Sequence, residues 1–248
     1  AVIAYSSRKL RIAYAGNALQ ITTSAAGNAT TNIGFDGGGD LDTTALAAAI
    51  GSNDGTRSIW YDQSGNATNA TQSTLVNQVK LVAAGVNNTL NGKVSGLTVL
   101  VPGTYDAILS ASQSQAFTIA IMFKMLDWNG GVSSLTDNNT GGNPNRVLLD
   151  GGDGTGIRMY AGSVVQSASG LDTNSHALFA VFNGATSNLY IDATNPIANQ
   201  DVGAQALQNN QLIGTSSALG GSNAYIAEYI VFSSAISSGD RATIRTSW

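Results

Sequence analysis

Fourteen aspartates and a single glutamate supply all the carboxylate chemistry in this 248-residue chain, and one histidine is its only imidazole. Cysteine is absent, so thiolate nucleophiles, disulfides and sulfur-ligated metals are excluded by count. Glycoside cleavage by the usual route needs two carboxyl groups about 5 to 9 Å apart across the scissile bond. Glu228 is the one glutamate, and no spacing along the chain pairs two of the aspartates for that work. His176 is the only candidate base for a Ser-His-Asp arrangement. It opens a predicted strand, where an imidazole serves as a strand-end side chain hydrogen-bonded to a loop, and a histidine-rich metal site is excluded by number.

Clustered oxygens are the remaining signal. Asp150 and Asp153, with glycines between them, resemble a fragment of a calcium loop, but the favoured reading is a tight hairpin that uses glycine for positive φ. Asp36, Asp40 and Asp42 place three carboxylates in seven residues, Asp42 already having a helix-capping role. The densest polar motif is Tyr61-Asp-Gln-Ser-Gly-Asn66, read as a turn that locks a strand exit. Trp128 offers a surface for stacking on a sugar ring, although a partly buried strand-end role is commoner. Trp248 either packs back or docks on a neighbour. On these grounds no catalytic, cofactor or metal residue is assigned, and the binding residues are left open.

The elements that would position such groups are mainly short strands. Hydrophobic residues make up 43% and charged residues only 10%, with a net charge of -4, which describes a folded chain with an uncharged polar surface. Eleven scattered basic residues exclude a phosphate-neutralising surface, so nucleic acid is not expected as a partner. No apolar run approaches membrane-spanning length, and a soluble chain is expected. Leu10, Ala13 and Tyr14 give a short helical spacing ended by Gly16, and a strand is expected over 18–23. Asp40 to Gly51 predicts a helix of about two turns, capped by Asp42 or Thr43. Further strands are predicted at 57–61 and 117–123, the latter half-buried. Hairpins are predicted for 146–150 with 156–160 and for 177–183 with 188–192, and a last strand for 224–232. Ser237-Ser-Gly-Asp240 reads as a capping box that opens a terminal helix. Many short strands with closely spaced turns make the fold class all-β, a sandwich carrying a few short helices.

A family resemblance rests on two blocks. Ala4-Tyr-Ser-Ser-Arg-Lys-Leu10, Asn32-Ile-Gly-Phe-Asp36 and Trp60-Tyr-Asp-Gln-Ser-Gly-Asn66 resemble the opening of the arabinofuranosidase B catalytic domain, over residues 1–72. Residues 116–248, with His176-Ala-Leu-Phe-Ala-Val-Phe182, Leu189-Tyr-Ile-Asp192 and Ile226-Ala-Glu-Tyr-Ile-Val-Phe232, resemble laminin-G-like jelly rolls. The resemblance implies a concanavalin A-like jelly-roll sandwich, with 1–248 as a single domain. It is similar to the kind of chain found in phage virion proteins and on bacterial surfaces. In that alignment Glu228 takes a structural position, the acid/base aspartate falls near Ser217, and the Cys-rich segment with the nucleophile has no counterpart.

The resulting expectation is a protein that is not an enzyme: a virion structural protein, as capsid decoration or tail-associated, with no cofactor. Its expected partners are other virion proteins or copies of itself, without nucleic acid or membrane, and it is expected on a virion. The alternatives are a carbohydrate-binding module of a receptor-binding or bacterial surface protein that meets a cell-surface glycan, and a degenerate arabinofuranosidase-like glycosidase.

Overall fold

The computed structural model describes residues 1–98, 108–110, 113–126, 133–137, 147–151, 156–163, 166–168, 170–208, 210–214 and 223–247. The N-terminal block supplies β1 (Ile3–Ser6), β2 (Leu19–Thr23), β3 (Thr30–Ile33), helix α1 (Thr43–Ile50), β4 (Gly55–Trp60) and β5 (Ala70–Thr71). A run of short strands follows: β6 (Val79–Ala83), β7 (Val86–Asn87), β8 (Thr89–Leu90), β9 (Lys93–Val94), β10 (Gly96–Thr98) and β11 (Ile108–Ser110). The C-terminal block adds β12 (Phe117–Met125), β13 (Ser133–Asp137), β14 (Leu148–Gly151), β15 (Ile157–Tyr160) and β16 (Gln166–Ala168). It closes with β17 (Ser175–Phe182), β18 (Ser187–Ile191), β19 (Thr194–Gln200), β20 (Asn210–Ile213), β21 (Ala224–Phe232) and helix α2 (Ser238–Thr246).

Antiparallel pairing runs β19, β18, β17, β12, β21, and the free edge of β21 then takes both β1 and β10. From β10 the ladder continues through β6, β4, β5, β11, β20, β13, β14, β15 and β16, with β2 and β3 beside β4. The inward faces of both halves meet in one apolar cluster that includes Tyr5, Trp60, Phe117, Phe182, Ile213 and Tyr229. This is the all-β sandwich of the concanavalin A/laminin-G type that the strand pattern and the resemblance anticipate.

Strand β12 shows why the core sits where it does. Its inner face sends Phe117, Ile119, Ile121, Phe123 and Met125 into the main cluster, and Phe117 stacks on Phe182 with ring centroids 4.9 Å apart. Burying each such side chain stabilises the fold by about 1.5 to 3 kcal/mol. The outer face, expected to be solvated, is covered as well. Ala120 and Met122 join Ala4, Phe179, Ile230 and Ile236 in a second cluster against which Ile244 of α2 packs. A near-continuous apolar run is the signature of a strand buried on both sides.

Local signals explain the helices. The Asp42 side chain accepts the Ala45 amide at 2.9 Å, and Gly51 ends α1 with φ at 59°. Ser237 and Asp240 form the reciprocal capping box of α2. The helical spacing at Leu10 to Tyr14 yields no helix, only a turn from the Arg11 carbonyl to the Tyr14 amide. Tertiary bonds prevail there, because the Leu10 amide donates to Gln63 Oε1 and the Arg11 guanidinium to the carbonyls of Gln63 and Ser64.

The Tyr61 to Asn66 motif fixes β1. Asp62, almost wholly buried, accepts the amides of Ala4 (2.9 Å), Ser64 (2.8 Å) and Thr68 (3.1 Å) and the Ser64 hydroxyl (2.7 Å). Gln63, fully buried, donates through Nε2 to the carbonyls of Ser6 and Arg8, and its own amide donates to the Ala4 carbonyl. Between them they satisfy strand groups that β21 leaves unpaired, which a buried backbone requires. Tyr5, held beneath, packs on Trp60 and Tyr229 and donates its hydroxyl to the Thr68 carbonyl.

Two outcomes follow for stability. Asp62→Ala strands buried amides, each worth about 1 to 3 kcal/mol, so the urea midpoint should fall by the equivalent of about 3 kcal/mol; a loss below about 1 kcal/mol would contradict the role given to Asp62. Burial pushes the phenols of Tyr5 and Tyr229 far above the ordinary tyrosine range, Asp62 adding to the rise for Tyr5. Both folded-state values lie above the unfolded one of about 10, so their contribution is intact below that pH and is lost as pH rises beyond it. In an ultraviolet phenolate titration at least two of the eight tyrosines should ionise only as native circular dichroism disappears.

Candidate functional site

Most residues singled out by type and spacing hold the fold. Glu228 lies on β21 opposite Ser6 of β1, 1% exposed, and accepts Arg8 Nε at 2.5 Å, Arg8 Nη2 at 3.3 Å and the Ser6 hydroxyl at 2.9 Å. A carboxylate enclosed in this way is a structural ion partner, in accord with its place in the family alignment.

His176 is likewise bound on both ring nitrogens. Nδ1 lies 2.8 Å from Asp192 Oδ2 and Nε2 lies 3.1 Å from Asp172 Oδ1. The Asn174 amide first, and His176 with it, hold the Asp172 carboxyl below the usual range. The neighbouring Ser175 hydroxyl donates to Asn91 rather than to the imidazole, so no nucleophile and base pair forms here. The ring joins strand β17 to the loop before it and to the β18–β19 turn.

Asp36, Asp40 and Asp42 do not converge. Asp36 Oδ1 accepts the amides of Gly38 and Asp40, Asp40 pairs with Lys93 at 2.5 Å, and Asp42 caps α1. Among the described residues no group of three His, Cys, Asp or Glu side chains is placed to hold a metal ion. Asp153, Trp128, Ser217 and Trp248 lie outside the described residues.

A different group emerges on β13 to β15. In β15 Ile157 and Met159 enter the core, so Arg158 and Tyr160, both partly exposed, point to the opposite face. Thr136 of β13 also points inward, its hydroxyl 3.1 Å from that of Tyr229, which turns Asp137 outward. The register aligns Asp137 with Leu148 and Tyr160, and sets Ser134, Asp150 and Arg158 level across three strands. A bulge between Ser134 and Thr136 makes this possible, since without it Ser134 and Asp137, three residues apart, would face opposite sides of the sheet. Asp137 and Asp150 therefore occupy diagonal positions on neighbouring strands, a relation that separates Cα atoms by about 7 to 8 Å.

Asp137 is fully buried although it faces away from the core. Sequence reading missed it: Ser133-Ser-Leu-Thr-Asp137 lies between glycine- and asparagine-rich stretches, and the bulge breaks the period-2 pattern that would have shown which side chains share a face. The alternation of Ile157-Arg-Met-Tyr160 was the one available signal. Arg158 and Tyr160, a cationic and a phenolic side chain partly exposed on one sheet face, can hydrogen-bond hydroxyl-rich ligands.

No family model and no curated protein sequence matches the chain. Solved structures do. A GH54 α-L-arabinofuranosidase soaked with a cyclic sulfate inhibitor matches with a TM-score of 0.71 at 17% identity, over 99% of this chain and 61% of its own. A mutant of a GH54 α-L-arabinofuranosidase soaked with 4-nitrophenyl α-L-arabinofuranoside matches at 0.73, again at 17% identity, over 99% and 61%. Trypanosoma rangeli sialidase gives 0.55 at 12% identity over 77% of this chain and 31% of that one. The chain thus spans about three fifths of the length of the arabinofuranosidases it matches, and at these identities the likeness is one of fold. It overturns the expectation that the chain is not an enzyme: the scaffold shared over 99% of its length is that of glycoside hydrolases. That expectation rested on residue identities at the aligned positions and on spacing along the chain, neither of which registers a scaffold shared at 17% identity.

Proposed function

We propose that this chain is a carbohydrate-active domain that binds a furanoside-bearing glycan over the outer face of β13 to β15 and cleaves its glycosidic bond. The observation that carries this reading is the arabinofuranosidase scaffold matched over 99% of this chain, on which the register sets Asp137 and Asp150 at diagonal positions beside Arg158 and Tyr160. Two carboxyl groups about 5 to 9.5 Å apart, one giving a proton to the leaving oxygen and the other serving as nucleophile or base, are what hydrolysis of a glycoside requires. In this proposal Asp137 is one of the pair and Asp150 the other, while Arg158 and Tyr160 orient the sugar through hydrogen bonds. The arabinofuranosidase scaffold supports the choice of substrate. A virion or cell-surface setting fits the same role, since a sugar-processing sandwich there would meet the glycans of a host.

The test is release of 4-nitrophenolate from 4-nitrophenyl α-L-arabinofuranoside by the purified chain. Turnover above buffer is expected, and Asp137→Asn and Asp150→Asn should each lower it by about 10² to 10⁴-fold while circular dichroism stays native. Absence of turnover in the unaltered chain, or a rate in either variant equal to that of the unaltered chain, would overturn the proposal.

A further inference from the structure

A separate hollow of about 440 Å³ opens where α2 crosses the outer face of β1 and β21. Its size falls within the about 300 to 1,000 Å³ of small-molecule sites. Ala4, Ile230 and Phe232 form the floor, and Leu10 and Ile244 the walls. The space exists because β1 presents only the methyl of Ala4 opposite Ile230, where a larger residue would close the gap.

The rim is cationic. Arg8 is tied to Glu228 and to the Ser247 hydroxyl, but Arg11 is exposed and donates from Nη1 to the neutral carbonyls of Gln63 and Ser64. Residues 1–35 carry Arg8, Lys9 and Arg11 and no carboxylate at all. The acids that lie nearby in the fold are engaged elsewhere: Glu228 holds Arg8 and Ser6, Asp62 accepts three amides, and Asp240 caps α2. A guanidinium beside an apolar surface and without a carboxylate of its own favours an anionic ligand group.

Hydroxyls on the rim speak against a neutral sugar here. Ser64 Oγ donates to Asp62 Oδ2, with the Val2 carbonyl at 3.2 Å, Thr243 Oγ1 donates to the Gly239 carbonyl and Ser247 Oγ to the Ile244 carbonyl, so each already has a partner. Ile12, 98% exposed, follows Arg11 directly and adds apolar surface beside it.

We infer that this hollow binds a small amphipathic monoanion, with an aliphatic or aromatic body on the Ala4, Ile230 and Phe232 floor and a carboxylate or sulfonate head paired to Arg11. The site is distinct from the sheet face around Asp137 and does not depend on it.

The experiment titrates the native chain with 1-anilinonaphthalene-8-sulfonate and displaces that probe with decanoate. Saturable binding of one probe per chain is expected, reversed by decanoate and not by uncharged decanol at the same concentration. Arg11→Gln should weaken the probe at least about tenfold, the loss of one charge-assisted bond of about 1.5 kcal/mol, whereas Lys124→Gln should leave it unchanged. Ala4→Leu should fill the floor and abolish binding. Arg11 is exposed, so its variant decides the matter even if Ala4→Leu fails to fold. Non-saturable fluorescence, or equal affinity in Arg11→Gln and the native chain, would overturn the inference.

Discussion

Strand β1 is the joint on which the sandwich depends. It pairs with β21 through Ile3, Ala4, Tyr5 and Ser6, and thereby brings the first residues of the chain beside its last strand. A short edge strand held by one neighbour is weakly specified. Asp62 and Gln63 remove that freedom, because a single slip would leave the Ala4 amide, the Ala4 carbonyl and the Ser6 carbonyl without their partners. With β1 fixed, Tyr5 is fixed, and with it the ring stack from Trp60 to Tyr229 that ties the N-terminal strands to β21.

The same registration propagates outward. Tyr229 reaches Thr136 by its hydroxyl, and Thr136 inward means Asp137 outward on the next residue of β13. A polar contact in the core thus sets which side chains the opposite face displays. Arg8, arriving at the end of β1, meets Glu228 on the other side of β21, so the outer surface under α2 is organised by the strand that also anchors the core. Buried ion pairs of this sort are weak stabilisers but costly to break, which makes them good determinants of register.

What the sequence made legible follows the range of the interaction. Caps at Asp42 and Ser237, the hairpin joining β17 to β18 and the strand 224–232 are encoded within a few residues, and all form where the pattern places them. The turn motif at Tyr61 to Asn66 was legible as structure, yet its partner, β1, lay nearly sixty residues away and could not be named. The false helix at Leu10 to Tyr14 and the assumed solvent face of β12 have one cause, since both depended on what packs above them, Gln63 in one case and α2 in the other. The face of Asp137 was hidden for a further reason: a bulge shifts the alternation, so side-chain direction there is a property of three paired strands and not of one.

Low charge also misdirects when it is read as composition alone. Ten per cent charged residues suggests a passive surface. In the fold, however, a large part of the acidic complement is committed to contacts within the chain: Asp36, Asp42, Asp62 and Asp192 accept backbone amides, Asp240 closes a capping box, and Asp40, Asp54 and Glu228 pair with cations. Each has a local structural task. Asp137 is enclosed as well, on the face of β13 turned from the core. Desolvating a carboxyl costs free energy wherever it happens, so the low charge displayed by this chain reflects acids engaged in holding its fold as much as their small number.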